Sequence, residues 1–282
     1  MEGKWTGWHT LGLVLIIVAI ALIGFLIPVQ GMLLAWLLTM GLLTLFTMVA
    51  SGGITGRFLL GWLINEQNRM SLSRLQMFLW TVVVLSALLT AALFNMKAGF
   101  LDNAVAIAIP EQVWIAMGIS TVSLVGSPLI LKAKMDKETN KQAAEKTTSV
   151  SLLAGRTAEQ RESTIEEHSS GQLDRKVKPQ DARLYDLFSG EEVGNRTVLD
   201  LTRLQNLFFT LILLGSYAAA LGSLLFCASG KAPYTAFSKF PGISDGQLAL
   251  LGISHAGYLA SKAVDKQPEA IEPIAAEEKP GE

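Results

Sequence analysis

The sequence predicts an all-α, polytopic membrane protein with about six transmembrane helices, and three observations lead there. Half of the 282 residues are hydrophobic and 17% are charged, with a mean hydropathy of +0.40; soluble domains carry roughly 25% charged residues. The apolar residues gather into unbroken runs of about the ~20 residues that a helix needs to cross hydrocarbon. Because these runs do not alternate with polar residues, they disfavour a β-barrel. The chain also states one segment twice, NRMSLSRLQMFLWT over residues 68–81 and NRTVLDLTRLQNLFFT over 195–210, each leading into an apolar run.

Residues 11–28 make the first predicted crossing. Trp5 and Trp8 ahead of it suit an interfacial aromatic belt, and the lack of a small-residue cleavage site marks a retained helix rather than a signal peptide. A tight turn at 28–31 returns the chain through a second crossing, 32–50. Ser51-Gly52-Gly53 then interrupts the run, so residues 54–64, with Arg57 and Trp62, read as an interfacial amphipathic segment in preference to an extension of the second helix. Residues 1–64 are thus an N-terminal hairpin plus this segment.

The third crossing starts after Ser71 and runs to about residue 94; the fifth starts after Asp200 and runs to about 225. Ser71 and Asp200 are N-cap residue types in equivalent places. Pro110-Glu111 opens the fourth crossing, with proline at the first helical position and a carboxylate at the positive end of the dipole; it ends near 131. The sixth spans 246 to about 263. Gly118-Ile119-Ser120 in the fourth recurs as Gly252-Ile253-Ser254 in the sixth.

Arg74 and Arg203 lie 129 positions apart, Gly118 and Gly252 134 apart. Two matches at nearly one offset indicate a duplicated helix pair, residues 65–131 and 184–264. Two helices separate equivalent points, so the copies enter from the same face as a parallel tandem repeat. Positive charge orients them. Arg57, Arg69 and Arg74 lie in the second-to-third connection or the first turn after it, and Lys132, Lys134, Lys137, Lys141, Lys146, Arg183, Arg196 and Arg203 in the fourth-to-fifth connection or the first turn after it. The other face has Lys97, Lys231 and Lys239. The positive-inside rule makes both termini and the long connection cytoplasmic. Residues 132–183 read as a flexible charged loop, 184–193 (LYDLFSGEEV) as a segment packing beside the fifth helix, and 265–282 as a disordered tail.

Few residues offer chemistry. Gln76 and Gln205, with Thr81 and Thr210, form a candidate polar cluster just inside the cytoplasmic interface; the alternative is interhelical hydrogen bonding. Arg69, Arg74, Arg196 and Arg203 are candidate headgroup contacts, or snorkelling side chains. Gly118 and Gly126, and Gly252, Ala256 and Ala260, mark helix-packing faces, while Ser120, Ser123 and Ser127 read as back-bonded hydroxyls rather than a pore lining. His255 is a weak candidate: ionisable groups inside a crossing are functional by default, but a neutral hydrogen-bonded histidine is the preferred reading. Glu191-Glu192 reads as a solvated face, not a metal site. The single Cys227 cannot make an intrachain disulfide. No phosphate-binding glycine loop, triad spacing, paired intramembrane carboxylates or thiolate cluster occurs, so no enzymatic activity, cofactor or metal is expected, and the net charge of −1 gives nucleic acid no handle.

The pieces SLSRLQMFLWT, MGISTVSLVGSPLI, EEVGN and LLGISHAGYLASK resemble bacterial multi-pass membrane proteins described only as uncharacterised, over residues 63–262. The resemblance implies a bacterial inner-membrane location and carries no activity. The preferred functional reading is a membrane platform or anchor whose residues 132–200 dock a cytoplasmic protein. An oligomeric channel or small-solute transporter component is the alternative, and lipid-headgroup binding a weaker one.

Overall fold

The computed structural model describes residues 5–148, 153–230 and 233–266. It is mostly helical: α1 (Gly7–Leu26), α2 (Met32–Thr55), α3 (Leu72–Lys97) and α4 (Glu111–Met135) are followed by a small cap. The cap contains α5 (Lys141–Thr147), α6 (Ala158–Glu167) and the two-residue antiparallel strands β1 (Ser169–Ser170) and β2 (Leu173–Asp174). The chain then returns through α7 (Leu201–Ser229) and α8 (Asp245–Ala263).

Five helices, α1 to α4 and α7, are long and apolar enough to cross a membrane. The sixth expected crossing, α8, is outside that set. Its 19 residues reach about 28 Å at 1.5 Å each, and its composition has a structural cause. Ser254, His255, Tyr258 and Lys262 are buried, while Ile253 is 70% exposed. The helix is polar towards its neighbours and apolar outwards, which lowers its mean hydropathy. Large apolar side chains are likewise exposed along α1, α2, α4 and α7, among them Leu15, Leu37, Val122 and Phe226. Water would penalise so continuous a surface, and acyl chains would not.

The third helix is the hub, packing against α1, α2, α4 and α7. Trp80, Val84, Ala87 and Ala91 are fully buried there with Trp36 of α2 and Leu221 of α7. Trp36 hydrogen-bonds Ser86 Oγ at 2.8 Å, and its ring lies so close to Gly222 that a Cβ there would come within 3.1 Å. One end of the bundle is tied by Lys97 Nζ, donating to the carbonyls of Phe25 and Ile27, and by the buried Asn95, bonded to both backbone groups of Phe237. At the other end lie the start of α1, the end of α2, the starts of α3 and α7, the ends of α4 and α8, and the cap. There Arg57 donates to the carbonyls of Pro179 and Ala182.

Several expected boundaries move. The second helix continues through Gly52-Gly53, because the glycine pair serves packing: a Cβ on Gly53 would lie 2.7 Å from the Trp5 ring. The helix stops at Gly56, whose φ of +70° forms a left-handed C-cap. Residues 57–64 are therefore not a flat interfacial helix. They turn back, and Leu63 and Ile64 are buried against Ala182 and Leu187 of the cap. The described part of the loop expected to be flexible is folded, with α5 and α6 joined through Ala144, Ile165 and Val193. Most of the expected disordered tail, and Lys231, lie outside the described residues, whereas Asp265 and Lys266 are bonded to the cap end.

Candidate functional site

The junction between the cap and the helices is where the chain concentrates its buried charge. Arg69, 2% exposed, has Nη1 2.5 Å from Asp174 Oδ2, and Nη2 donates to Ser189 Oγ at 2.8 Å and the Gly190 carbonyl at 2.7 Å. Asp174 also receives Arg196 at 2.7 Å, and Arg196 in turn reaches Thr148 Oγ1. Asp186, fully buried, accepts from Lys176 at 2.7 and 2.8 Å and from the Arg183 backbone N–H. This set fastens the chain before α3 to the cap.

A second set fastens α4, α7 and α8. Lys134 Nζ is 2.5 Å from Glu192 Oε1 and donates to the Val264 carbonyl at 2.7 Å. Glu191 pairs with Lys262 at 2.7 Å and Arg203 at 3.3 Å, and Lys266 with Asp200 at 2.7 Å. Burial would raise the Glu191 carboxyl, but the Lys262 and Arg203 cations outweigh it and hold it at about 2. The adjacent glutamates are therefore not a solvated face. Nor do Arg69, Arg196 and Arg203 meet headgroups: each is drawn inward to a carboxylate, and Arg203 is 3% exposed. Among the described residues, only Arg74 of the four lacks such a partner.

Deeper in the bundle the polar residues are neutral. Gln76 Nε2 donates to Thr210 Oγ1 at 2.7 Å, and Ser254 Oγ bonds Asn206 Oδ1 at 3.1 Å. Gln205 is exposed on the opposite side of α7, and Thr81 back-bonds to the Met77 carbonyl. Thus Gln76 and Thr210 meet, whereas Gln205 and Thr81 take no part. Asn206, one position from Gln205, fills the place; a second polar residue in the same apolar run is the signal the sequence offers. His255 Nδ1 lies 2.5 Å from Ser123 Oγ, and Ser127 Oγ 3.1 Å from Ser73 Oγ, so these two serines bond across helices while Ser120 back-bonds to Ala116. The α4–α8 contact uses this serine face together with Gly126 and Gly252, where an added Cβ would lie 3.8 Å from Leu259 and Ile119 respectively. Gly118, Ala256 and Ala260 are exposed and outside the contact, because the seam is set by the polar residues beside them.

Between α3 and α4, at their cap ends, opens a cavity of about 420 Å³. Trp62 and Phe78 stack at 4.0 Å between ring centroids on one side, and Met77, Leu124 and Pro128 form the apolar back. Arg74 and Glu66 supply charge. Pro128 lies inside α4 and has no N–H to donate, so the Leu124 carbonyl lacks the i+4 donor of a regular helix.

This architecture defines a polytopic helical membrane protein with a folded cap fixed to its helix ends. No known family, curated protein or solved structure matches the chain, so its function is read from this geometry. Among the described residues no group of three or more histidine, cysteine or carboxylate side chains could hold a metal ion.

Proposed function

We propose that the chain is a non-enzymatic platform in a bacterial inner membrane, crossing it six times, with both termini and the cap cytoplasmic. The cap presents a docking surface to a soluble protein partner. The observation that carries this reading is the junction itself. Buried ion pairs tie a cap rich in charge to four different helix ends, so the surface the cap offers is held at a fixed height and orientation above the bilayer. A flexible tether would have no use for so costly a connection. The outer face of the cap carries mixed charge on α5 and α6, including Lys141, Glu145, Arg161 and Glu162, whose mutual pairs are exposed.

The tandem repeat belongs to the same reading. It is supported by α3 and α7 both starting at the cap end, where Ser71 accepts from the Arg74 N–H and Asp200 from those of Thr202 and Arg203. A channel lined by the glutamines loses its main support, since Gln76 and Gln205 do not face each other. Photocross-linkers placed at Glu159 and Glu166 in native membranes are expected to give a discrete protein adduct that K141E/R161E removes. The same linker at the lipid-facing Ile212 should give none. Adducts unaffected by the charge reversal, or none from either cap position, would refute the docking surface.

A further inference from the structure

We infer that the cavity between α3 and α4 is a binding site for a phospholipid with a zwitterionic, primary-ammonium headgroup. Its walls are divided by polarity as such a ligand is. Met77, Phe78, Leu124 and Pro128 offer an apolar surface, and Pro128 is itself exposed on the flank of the bundle. Asn65, Glu66, Gln67 and Arg74 form the polar end, at the level where the helices meet the cap. The volume, about 420 Å³, falls in the roughly 300–1,000 Å³ of small-molecule sites.

The charge pattern selects the head. Arg74 is half-buried; its Nη1 donates to the Ile64 carbonyl at 2.6 Å, and it forms no ion pair within 4.0 Å among the described residues. Arg69, Arg196 and Arg203 are each matched to a carboxylate and Arg57 donates to two cap carbonyls, whereas Arg74 lines the cavity with no carboxylate paired to it among the described residues; it is open to an outside anion, and a guanidinium fits a phosphate. Glu66 at the exposed rim attracts Arg74 electrostatically without pairing with it. A cation and an anion at one mouth match a head carrying both a phosphate and an ammonium. Lys262 also lines the cavity, but its charge is satisfied by Glu191. A purely anionic head would meet Arg74 but be repelled by Glu66. A quaternary ammonium could not donate a hydrogen bond to Glu66.

The test uses the full chain in detergent and native mass spectrometry with phosphatidylethanolamine, phosphatidylglycerol and phosphatidylcholine offered at equal concentration. Wild type should retain phosphatidylethanolamine about tenfold over the other two, the value of one charge-assisted contact. R74Q should lose retention of all three, and E66Q should equalise phosphatidylethanolamine and phosphatidylglycerol. K132Q, an exposed lysine at the cap end of α4, should change nothing and so controls for net charge. Equal retention of the three lipids by wild type would overturn the proposal, as would R74Q binding like wild type. Should R74Q not fold, E66Q, altered only at an exposed side chain, decides the matter by keeping or losing the headgroup preference.

Discussion

At the cap end, Arg69, Lys134, Arg203 and Lys262 are buried against carboxylates; deeper in the bundle, Gln76, Thr210, Asn206, Ser254, Ser123 and His255 are buried among amides and hydroxyls, with no charged partner. The two regions solve the same problem at different depths. Near water an ion pair can form where the charge keeps further hydrogen bonds, as Arg69 does with Ser189 and Gly190. In hydrocarbon a charge costs too much, and neutral groups bond between helices. The lesson is that cap attachment should depend on charge and pH, and helix association should not.

Removing one charge at the junction should have the largest effect. Arg69→Met leaves Asp174 and Asp186 buried with fewer cations, which costs about 3–5 kcal/mol when a buried pair is broken. A fall in the detergent melting temperature larger than that of any variant in the neutral seam is the expected result. Replacing Arg69 and Asp174 together by apolar residues should recover part of the loss. If Arg69→Met melts like wild type, the junction is not what fixes the cap.

Acid should act on the same region. The Glu191 carboxyl is lowered from 4.5 to about 2 in the folded chain. Its contribution, about 3 kcal/mol at 1.36 kcal/mol per unit, is complete above the unfolded value. It is lost as pH falls from about 4.5 towards 2, where the unfolded chain binds the proton and the folded one does not. Melting temperature should therefore owe no change to Glu191 between pH 7 and 5.5 and decline below 4.5. Glu191→Gln should lower the neutral-pH value and flatten that decline; an undiminished decline would place the acid sensitivity elsewhere.

A smaller loss is expected in the neutral seam. Gln76→Leu removes the bond to Thr210 and leaves that hydroxyl to back-bond within its own helix. About 0.6 kcal/mol, and at most roughly 1.7, is typical for such contacts in membrane helices. The loss should be the same at pH 7 and at pH 4, which separates the seam from the junction in one experiment.

How much of this was legible in the sequence follows from range and phase. The long helices, the caps at Ser71 and Asp200 and the N-terminal start at Pro110 are local signals, and each appears within a few residues of its expected place. The junction was not legible, because Arg69 and Asp174 are separated by 105 positions and Lys134 and Glu192 by 58. A single sequence does not say which lysine meets which glutamate. The seam is half legible: the sequence points to Gln76 and Thr210, but a helix apolar on every side gives no phase and so does not distinguish Gln205 from Asn206, which holds the buried position. The glycine pair at 52–53 misled for a related reason, since glycine marks both a break and a close approach, and only the neighbouring Trp5 tells which.

The smallest effect belongs to the exposed charges of α5 and α6, and it bears most directly on the comparison. Lys141 and Glu162 form an ion pair as close as those at the junction, yet both side chains are at least half exposed. Water screens the attraction, and holding two long side chains in register costs entropy, so contact distance alone confers little. Lys141→Ala, Glu162→Ala and the double variant are expected to melt with wild type at moderate salt, with no coupling between the two sites. A measurable coupling would mean that this pair is shielded in the membrane-bound protein, and the most direct shield is whatever docks on the cap. Repeating the cycle in native membranes and in purified protein separates the cases: coupling confined to the membranes locates the partner over α5 and α6, whereas coupling in both makes the pair part of the cap's own fold.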